Sequence, residues 1–291
     1  MLILTFPDYL QQTQRLAQAL DIQVQQVHLH RFPDGESLLR LPTDLPEHVI
    51  ICRSLNQPND KLIELLLCAK TARKLGAKRL TLVAPYLCYM RQDISNHPGE
   101  AVSQSIIGSM LAELFDDVIT VDPHLHRISR LNQAIPINNA ISLSAADEIA
   151  LFLQQQFTNA VLLGPDSESE QWVAAIAEKV GFEYSVAEKI REGDTQVNMR
   201  LAEFDFQNKV VIIIDDMAST GRTIAKATGL LLSAGAQQVY AVITHPLFCD
   251  DAETYIIQSG VQKIWSTDSI SHTSACIYLD KLLAQAVNNI L

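Results

Sequence analysis

Two adjacent aspartates, Asp215 and Asp216, close a run of five β-branched residues, and a Ser-Thr-Gly turn follows them in the segment KVVIIIDDMASTGRT (209–223). An ionised carboxylate only accepts hydrogen bonds, so a neighbouring pair suits the vicinal hydroxyls of a sugar. Ser219, Thr220, Gly221 and Thr223 offer hydroxyls and backbone N–H groups where a helix would begin, a position that favours a phosphate. The combined chemistry is that of a ribose-phosphate cradle. So apolar a run reads as a strand covered on both faces, whose carboxyl end opens on the ligand crevice of an α/β sheet. An ordinary capped helix with two solvated turn carboxylates fits the same residues, and the acidic pair favours the cradle. No G-x-x-x-x-G-K-[ST] occurs, which excludes a P-loop.

Further polar groups are spread along the chain. RFPDGE (31–36) reads as a hairpin turn through Asp34 and Gly35, with Phe32 as an aromatic face and Glu36 as a second acceptor. In YMRQD (89–93), Arg91 suits bidentate phosphate contact and Gln92 hydrogen bonding, with Asp93 beside them. Asp122, His124 and His126 alternate, so an extended chain projects them to one side, where imidazole and carboxylate can hold or orient a hydrated divalent ion. Asp166 in LGPD (163–166) stands where it could cap a helix. KIREGDTQV (189–197) reads as a polar loop, and its cations Lys189 and Arg191 can stabilise charge on a transferring group.

The elements that position these groups follow an alternating pattern. Strands are expected near 2–6, 49–52, 80–84, 118–121, 160–163, 210–214, 239–244 and 263–266, with amphipathic helices between them. Leu62, Leu66 and Ala69 share one helical face, as do Trp172, Ala175, Ile176 and Val180. The fold class is therefore α/β, with mainly parallel sheets flanked by helices. The polar, uncharged stretch 132–144 marks a boundary between domains 1–142 and 143–291. A last helix over about 274–291 could pack on either. The two halves share a rhythm, a strand ending in aspartate at Val121-Asp122 and again at Ile214-Asp215.

Composition limits the partners. Of 291 residues, 48% are hydrophobic and 19% charged, which excludes disorder as the main state. No run approaches the roughly 18 apolar residues of a membrane helix, and the N-terminus has no basic leader, so a cytoplasmic protein is expected. Five scattered cysteines without a C-x-x-C pair read as reduced core thiols. A net charge of −11 repels polynucleotides but leaves room for a small polyphosphate held by metal ions and backbone amides.

The 209–223 segment resembles the phosphoribosyl-diphosphate motif of type I phosphoribosyltransferases and ribose-phosphate pyrophosphokinases. RFPDGE, the stretch 78–93 ending in RQD, TVDPH and LGPD resemble pyrophosphokinase segments in collinear order, and THPLF (244–248) and STDSI (266–270) match weaker patterns. The resemblance implies two phosphoribosyltransferase-like domains, ATP and ribose 5-phosphate as substrates, and Mg²⁺ as cofactor. It assigns Phe32, Asp34, Gly35, Glu36, Arg91, Gln92 and Asp93 to ATP. It assigns Asp215, Asp216, Ser219, Thr220, Gly221, Arg222 and Thr223, with Arg191, to ribose 5-phosphate. His124 and Asp166 fall to the metal, and Lys189 and Arg191 to the moving charge. It further implies a homo-oligomer in which the 32–36 loop completes a neighbouring site. Two departures stand out: Ser219 replaces an aspartate common in bacterial members, and Arg222 stands where a second glycine is usual. A non-catalytic regulatory relative, or a phosphoribosyltransferase that uses no ATP, are the rival expectations.

Overall fold

The computed structural model describes residues 1–192 and 196–291, and the side chains of residues 189–198 lie outside that description. The chain forms two compact units. One comprises Met1–Ser144, Ser269–Ser271 and Leu279–Leu291, the other Ala145–Asp268 and His272–Tyr278.

In the first unit the order is β1 (Leu2–Thr5), α1 (Leu10–Leu20), β2 (Val24–Gln26), β3 (His28–Arg31), β4 (Ser37–Arg40), β5 (His48–Cys52), α2 (Pro58–Lys74), β6 (Arg79–Val83), α3 (Ser103–Leu114), β7 (Asp117–Val121) and β8 (Asn139–Leu143). The sheet runs β2-β1-β5-β6-β7-β8 with every neighbouring pair parallel. Parallel neighbours need crossovers, and helices in those crossovers cover the sheet. That is why HVIIC, RLTLV and DVITV are nearly continuous apolar runs, buried from their second residue on. β3 and β4 stand outside this sheet as an antiparallel hairpin.

At the amino ends of the strands a polar network is fully paired. Asp117 accepts from Arg79 Nε (2.8 Å) and Nη2 (2.9 Å), Asn139 Nδ2 (2.6 Å) and Thr81 Oγ1 (2.8 Å), while Arg79 Nη2 also donates to the Ile290 carbonyl at 2.8 Å. Burial alone would raise the Asp117 carboxyl, but these donors outweigh it and hold it below the ordinary value.

The second unit contains α4 (Ala146–Gln156), β9 (Val161–Gly164), α5 (Glu170–Val180), β10 (Glu183–Glu192), β11 (Gln196–Leu201), β12 (Val210–Ala218), α6 (Arg222–Ser233), β13 (Gln238–Pro246), α7 (Ala252–Gln258), β14 (Val261–Thr267) and β15 (Ala275–Ile277). Its sheet runs β11-β10-β9-β12-β13-β14-β15, parallel except for the β10–β11 pair. The final helix, α8 (Asp280–Asn289), belongs to the first unit and packs on α1.

Both sheets therefore reverse direction once, between β1 and β5 in the first unit and between β9 and β12 in the second. Such a switch point opens a crevice at the carboxyl ends of its strands.

Several local expectations need correction. Within the polar stretch 132–144, residues 139–143 form the edge strand β8, which no strand expectation covers and which pairs with one neighbour only. KIREGDTQV is not simply a loop, since β10 continues through Glu192 and pairs antiparallel with β11, placing Lys189 opposite Met199 and Arg191 opposite Val197. The side chains of Lys189 and Arg191 lie outside the described residues. The last helix begins at Asp280, after a short strand over Ala275–Ile277. On α5 the buried face is Val173, Ile176 and Ala177, rotated by one residue from the expected stripe. Cys52, Cys68 and Cys88 are buried, whereas Cys249 is exposed and Cys276 half-buried.

Candidate active site

In the second unit, β12 pairs with β9 only over Val211–Ile213 but follows β13 out to Ala218. The strand thus outruns its neighbour, and Asp215 and Asp216 stand on the overhang beside the loop that carries Asp166. Asp216 is buried; Asp215 keeps some surface open, although protein atoms pack round its carboxyl. Burial pushes the Asp215 carboxyl well above its ordinary value, and the negative charges of Asp216 and Asp166 push it further. Asp166 also acts as a cap, since its Oδ1 accepts from the N–H groups of Glu168 (3.1 Å) and Ser169 (3.2 Å). The helix-cap reading of that aspartate is thus realised.

The turn after β12 is shaped by a close approach. Gly221 is in the left-handed region (φ 71°), and a Cβ there would lie 2.7 Å from Ile256 Cγ1 and 3.0 Å from the Ala252 carbonyl. Only glycine fits. α6 starts at Arg222, so the first-turn N–H groups have no acceptor within the helix and face the turn of Ser219 and Thr220. Arg222 and Thr220 are exposed, Ser219 and Thr223 half-buried. Two residues that sequence reasoning passed over pin this turn: Phe248 N–H donates to the Ala218 carbonyl (2.9 Å) and Cys249 N–H to the Ser219 carbonyl (2.8 Å). Phe248 does so in a strained conformation (φ 35°). The only sequence signal for it was the weak THPLF match.

In the first unit the 32–36 turn has a defined internal shape. Phe32 N–H donates to the Glu36 carbonyl (2.8 Å), Gly35 N–H to the Phe32 carbonyl (2.9 Å) and Glu36 N–H to Asp34 Oδ1 (3.1 Å). Gly35 supplies the positive φ (94°) that such a turn requires. Phe32 is 41% exposed, its ring edge-on to His30 at 4.9 Å. Past β6, Arg91 is exposed, and Gln92 is clipped to α3, its Oε1 accepting from Ser103 N–H at 2.9 Å. The Asp93 carboxylate is enclosed and pairs with Arg127 Nη1 at 2.6 Å. Arg127 is a further residue that sequence reasoning missed; a lone arginine after a histidine pair carries no motif. It ties the Gln92–Asp93 loop to the loop of His124. Asp122, buried and in the left-handed region (φ 35°), begins that second loop, and His124 packs edge-on to His126 at 4.2 Å.

The two units each have a mainly parallel sheet with a switch point, and the second carries an acidic pair and a helix-opening turn there. This defines a protein of two phosphoribosyltransferase-type α/β domains. The comparisons agree. Residues 1–114 match the family described as the N-terminal domain of ribose phosphate pyrophosphokinase, and residues 137–270 match the phosphoribosyl transferase domain. A ribose-phosphate pyrophosphokinase of Methanopyrus kandleri is 32% identical over 294 residues, covering 100% of this chain and 99% of the relative. One from Saccharolobus solfataricus is 35% identical over 262 residues, covering 88% of each. The crystal structure of phosphoribosylpyrophosphate synthetase from Mycobacterium smegmatis shares the fold, with a TM-score of 0.84 at 22% identity, over 99% of this chain and 98% of that one. The chain belongs to the ribose-phosphate pyrophosphokinase family.

Proposed function

We propose that this enzyme transfers the diphosphoryl group of ATP to the 1-hydroxyl of ribose 5-phosphate, giving phosphoribosyl diphosphate and AMP. The observation that carries the reading is the second switch point, where an acidic pair stands next to a turn of backbone amides at a helix start. Asp215 and Asp216 accept from the ribose hydroxyls, and the turn of Ser219, Thr220, Gly221, Arg222 and Thr223 takes the 5-phosphate. The 1-oxygen, losing its proton, bonds to the β-phosphorus; the bond from that phosphorus to the α,β-bridging oxygen breaks and AMP leaves. Most of the work is positioning and charge stabilisation, with Lys189 and Arg191 as the cations that stabilise the moving charge. Phe32, Asp34, Gly35 and Glu36 form the adenine-contacting turn, Arg91 and Gln92 reach the nucleotide, and Asp93 holds their loop through Arg127.

The donor set suits Mg²⁺: burial first, and then the neighbouring carboxylates Asp216 and Asp166, raise the Asp215 carboxyl, and a hard, oxygen-preferring divalent cation neutralises such a crowd. Asp166 and His124 are the residues that would hold the metal, as the family resemblance implies. When bound it supplies charge neutralisation on the phosphate oxygens. An exposed phenylalanine at the tip of a hairpin outside the main sheet supports a homo-oligomer in which this turn completes a neighbouring site. Among the described residues no helix is long and apolar enough to cross a membrane, and the nucleotide and sugar-phosphate substrates favour the cytoplasm.

The test is AMP formation from ATP and ribose 5-phosphate with wild type and Lys189→Ala. The variant is expected to lose at least ~10²-fold in rate, the scale of removing one charge-stabilising donor. An unchanged rate removes Lys189 from the mechanism. Nucleotide binding without turnover in the wild type identifies a regulatory relative, and consumption of phosphoribosyl diphosphate with a free base a phosphoribosyltransferase.

A further inference from the structure

Glu64 lies in the interior of α2 with its side chain completely buried. Its Oε1 accepts from Ser37 Oγ at 2.8 Å and from Arg31 Nη2 at 3.2 Å. Its Oε2 pairs with Arg53 Nη2 at 2.7 Å. Arg31 immediately precedes Phe32 and Ser37 immediately follows Glu36, so one carboxylate oxygen holds both strands of the hairpin at the points where they enter the turn. Arg31 Nη1 reaches Asp60 as well, at 3.0 Å, on the same helix. Behind Glu64 the anchor continues into the sheet. Arg53, just past β5, lies 3.9 Å over the Phe6 ring and pairs with Asp8 (3.2 Å), which also holds Lys61 (2.7 Å).

Burying this many charges gains little stability over apolar side chains of the same volume. What it does give is a fixed place for Arg31 and Ser37. The turn's own backbone bonds set its internal shape but not its position. Beside this anchor, the hairpin rests on the core through Leu29 and Leu39 and the flanking Val27 and Leu41, contacts at the base of the hairpin and not at its turn.

We infer that Glu64 is a positioning residue for nucleotide binding: it sets the place of the 32–36 turn through Arg31 and Ser37. The inference rests on the reading of that turn as the adenine-contacting element. Glu64 touches no substrate; it lowers the ordering cost that the turn would meet on binding.

The decisive variants are Arg31→Met with Ser37→Ala, which release the two flanks while leaving Glu64 and the core intact. The full-length enzyme is expected to show KM for ATP, and the Kd of a non-hydrolysable ATP analogue by calorimetry, raised by about tenfold, the worth of one charge-assisted hydrogen bond. KM for ribose 5-phosphate stays within about twofold on the same reasoning, since no bond on that side is touched. Glu64→Met should reproduce the split, and Glu64→Gln, which keeps the accepting oxygen, should restore most of the ATP affinity. Unchanged ATP affinity in the flank variants, while Phe32→Ala weakens it, overturns the inference and leaves the turn's role standing. Equal rises in both KM values also overturn it, marking a merely structural residue. Phe32→Ala without effect on ATP brings down the reading of the turn itself, and the inference with it.

Discussion

The two switch points have the same topology and opposite electrostatics. Between β9 and β12 the carboxyl ends carry Asp166, Asp215 and Asp216, and burial followed by the charges of Asp216 and Asp166 raises the Asp215 carboxyl. Between β1 and β5 the corresponding ends carry Asp8 and Arg53, which join Lys61 and Glu64 in a set of ion pairs of opposite charge. Burial still holds the Lys61 ammonium below its ordinary value, despite Asp8. The second crevice thus gathers like charges, and the first brings opposite charges together and uses them as scaffold. A switch point marks where a ligand could bind; the balance of charge there determines whether one is needed.

This contrast can be broken most directly in the second unit. D215N/D216N removes two charged acceptors worth about 1.5–3 kcal/mol each, so kcat/KM for ribose 5-phosphate should fall by about 10²–10⁴-fold. Without divalent cation the melting temperature of Asp215→Asn should rise, because the substitution deletes a charge that the fold disfavours; added Mg²⁺ should erase the gain. A lower melting temperature would mean that the pair is compensated after all. The first unit should behave in the opposite sense. Arg53→Met leaves Glu64 and Asp8 short of a buried partner and should cost about 3–5 kcal/mol, measured by denaturant unfolding. Arg53→Met with Glu64→Leu should recover most of that stability without recovering ATP affinity. A smaller effect is expected at Gly221→Ala, where left-handed strain costs about 1–2 kcal/mol and the contact with Ile256 must also relax. Its readout is a raised KM for ribose 5-phosphate with KM for ATP unchanged.

Legibility in the sequence followed the same divide. The second crevice was readable because its residues are contiguous: strand, acidic pair and helix-opening turn lie within one stretch, and each residue type has a chemical reason that needs no partner. The central strands were readable for a similar reason, since burial on both faces writes an apolar run. The edge strand β8 and the short β2 and β15 were not, because one-sided pairing relaxes that requirement. The first crevice was hidden because it is assembled from residues far apart in the chain. Nothing local in NDKLIELL distinguishes Glu64 from a solvated helix face, and only the fold brings Arg31, Ser37 and Arg53 to it. Arg127 was missed on the same ground, its meaning residing wholly in Asp93.

The smallest expected effect separates the units by pH. His48 bonds Thr81 at 2.9 Å beside the Asp117 network, and burial, with the Arg79 cation, holds its imidazole below the ordinary value. Below about pH 6.5 the unfolded chain therefore takes up a proton that the folded one resists, and stability falls. Asp117, also held low, extends the loss to pH values under its ordinary range, where the unfolded carboxyl protonates first. Asp215 has the opposite sign: its raised carboxyl takes a proton in the folded state first, so mild acid relieves the second unit. Both tryptophans, Trp172 and Trp265, lie in that second unit, so their fluorescence follows it alone. Between pH 7 and 5, hydrogen exchange in β6 and β7 should accelerate while the tryptophan melting transition holds or rises, and His48→Gln should flatten the first trend without touching the second. A tryptophan transition that falls with acid ahead of exchange in β6 and β7 would show that the two units do not carry opposite electrostatic loads.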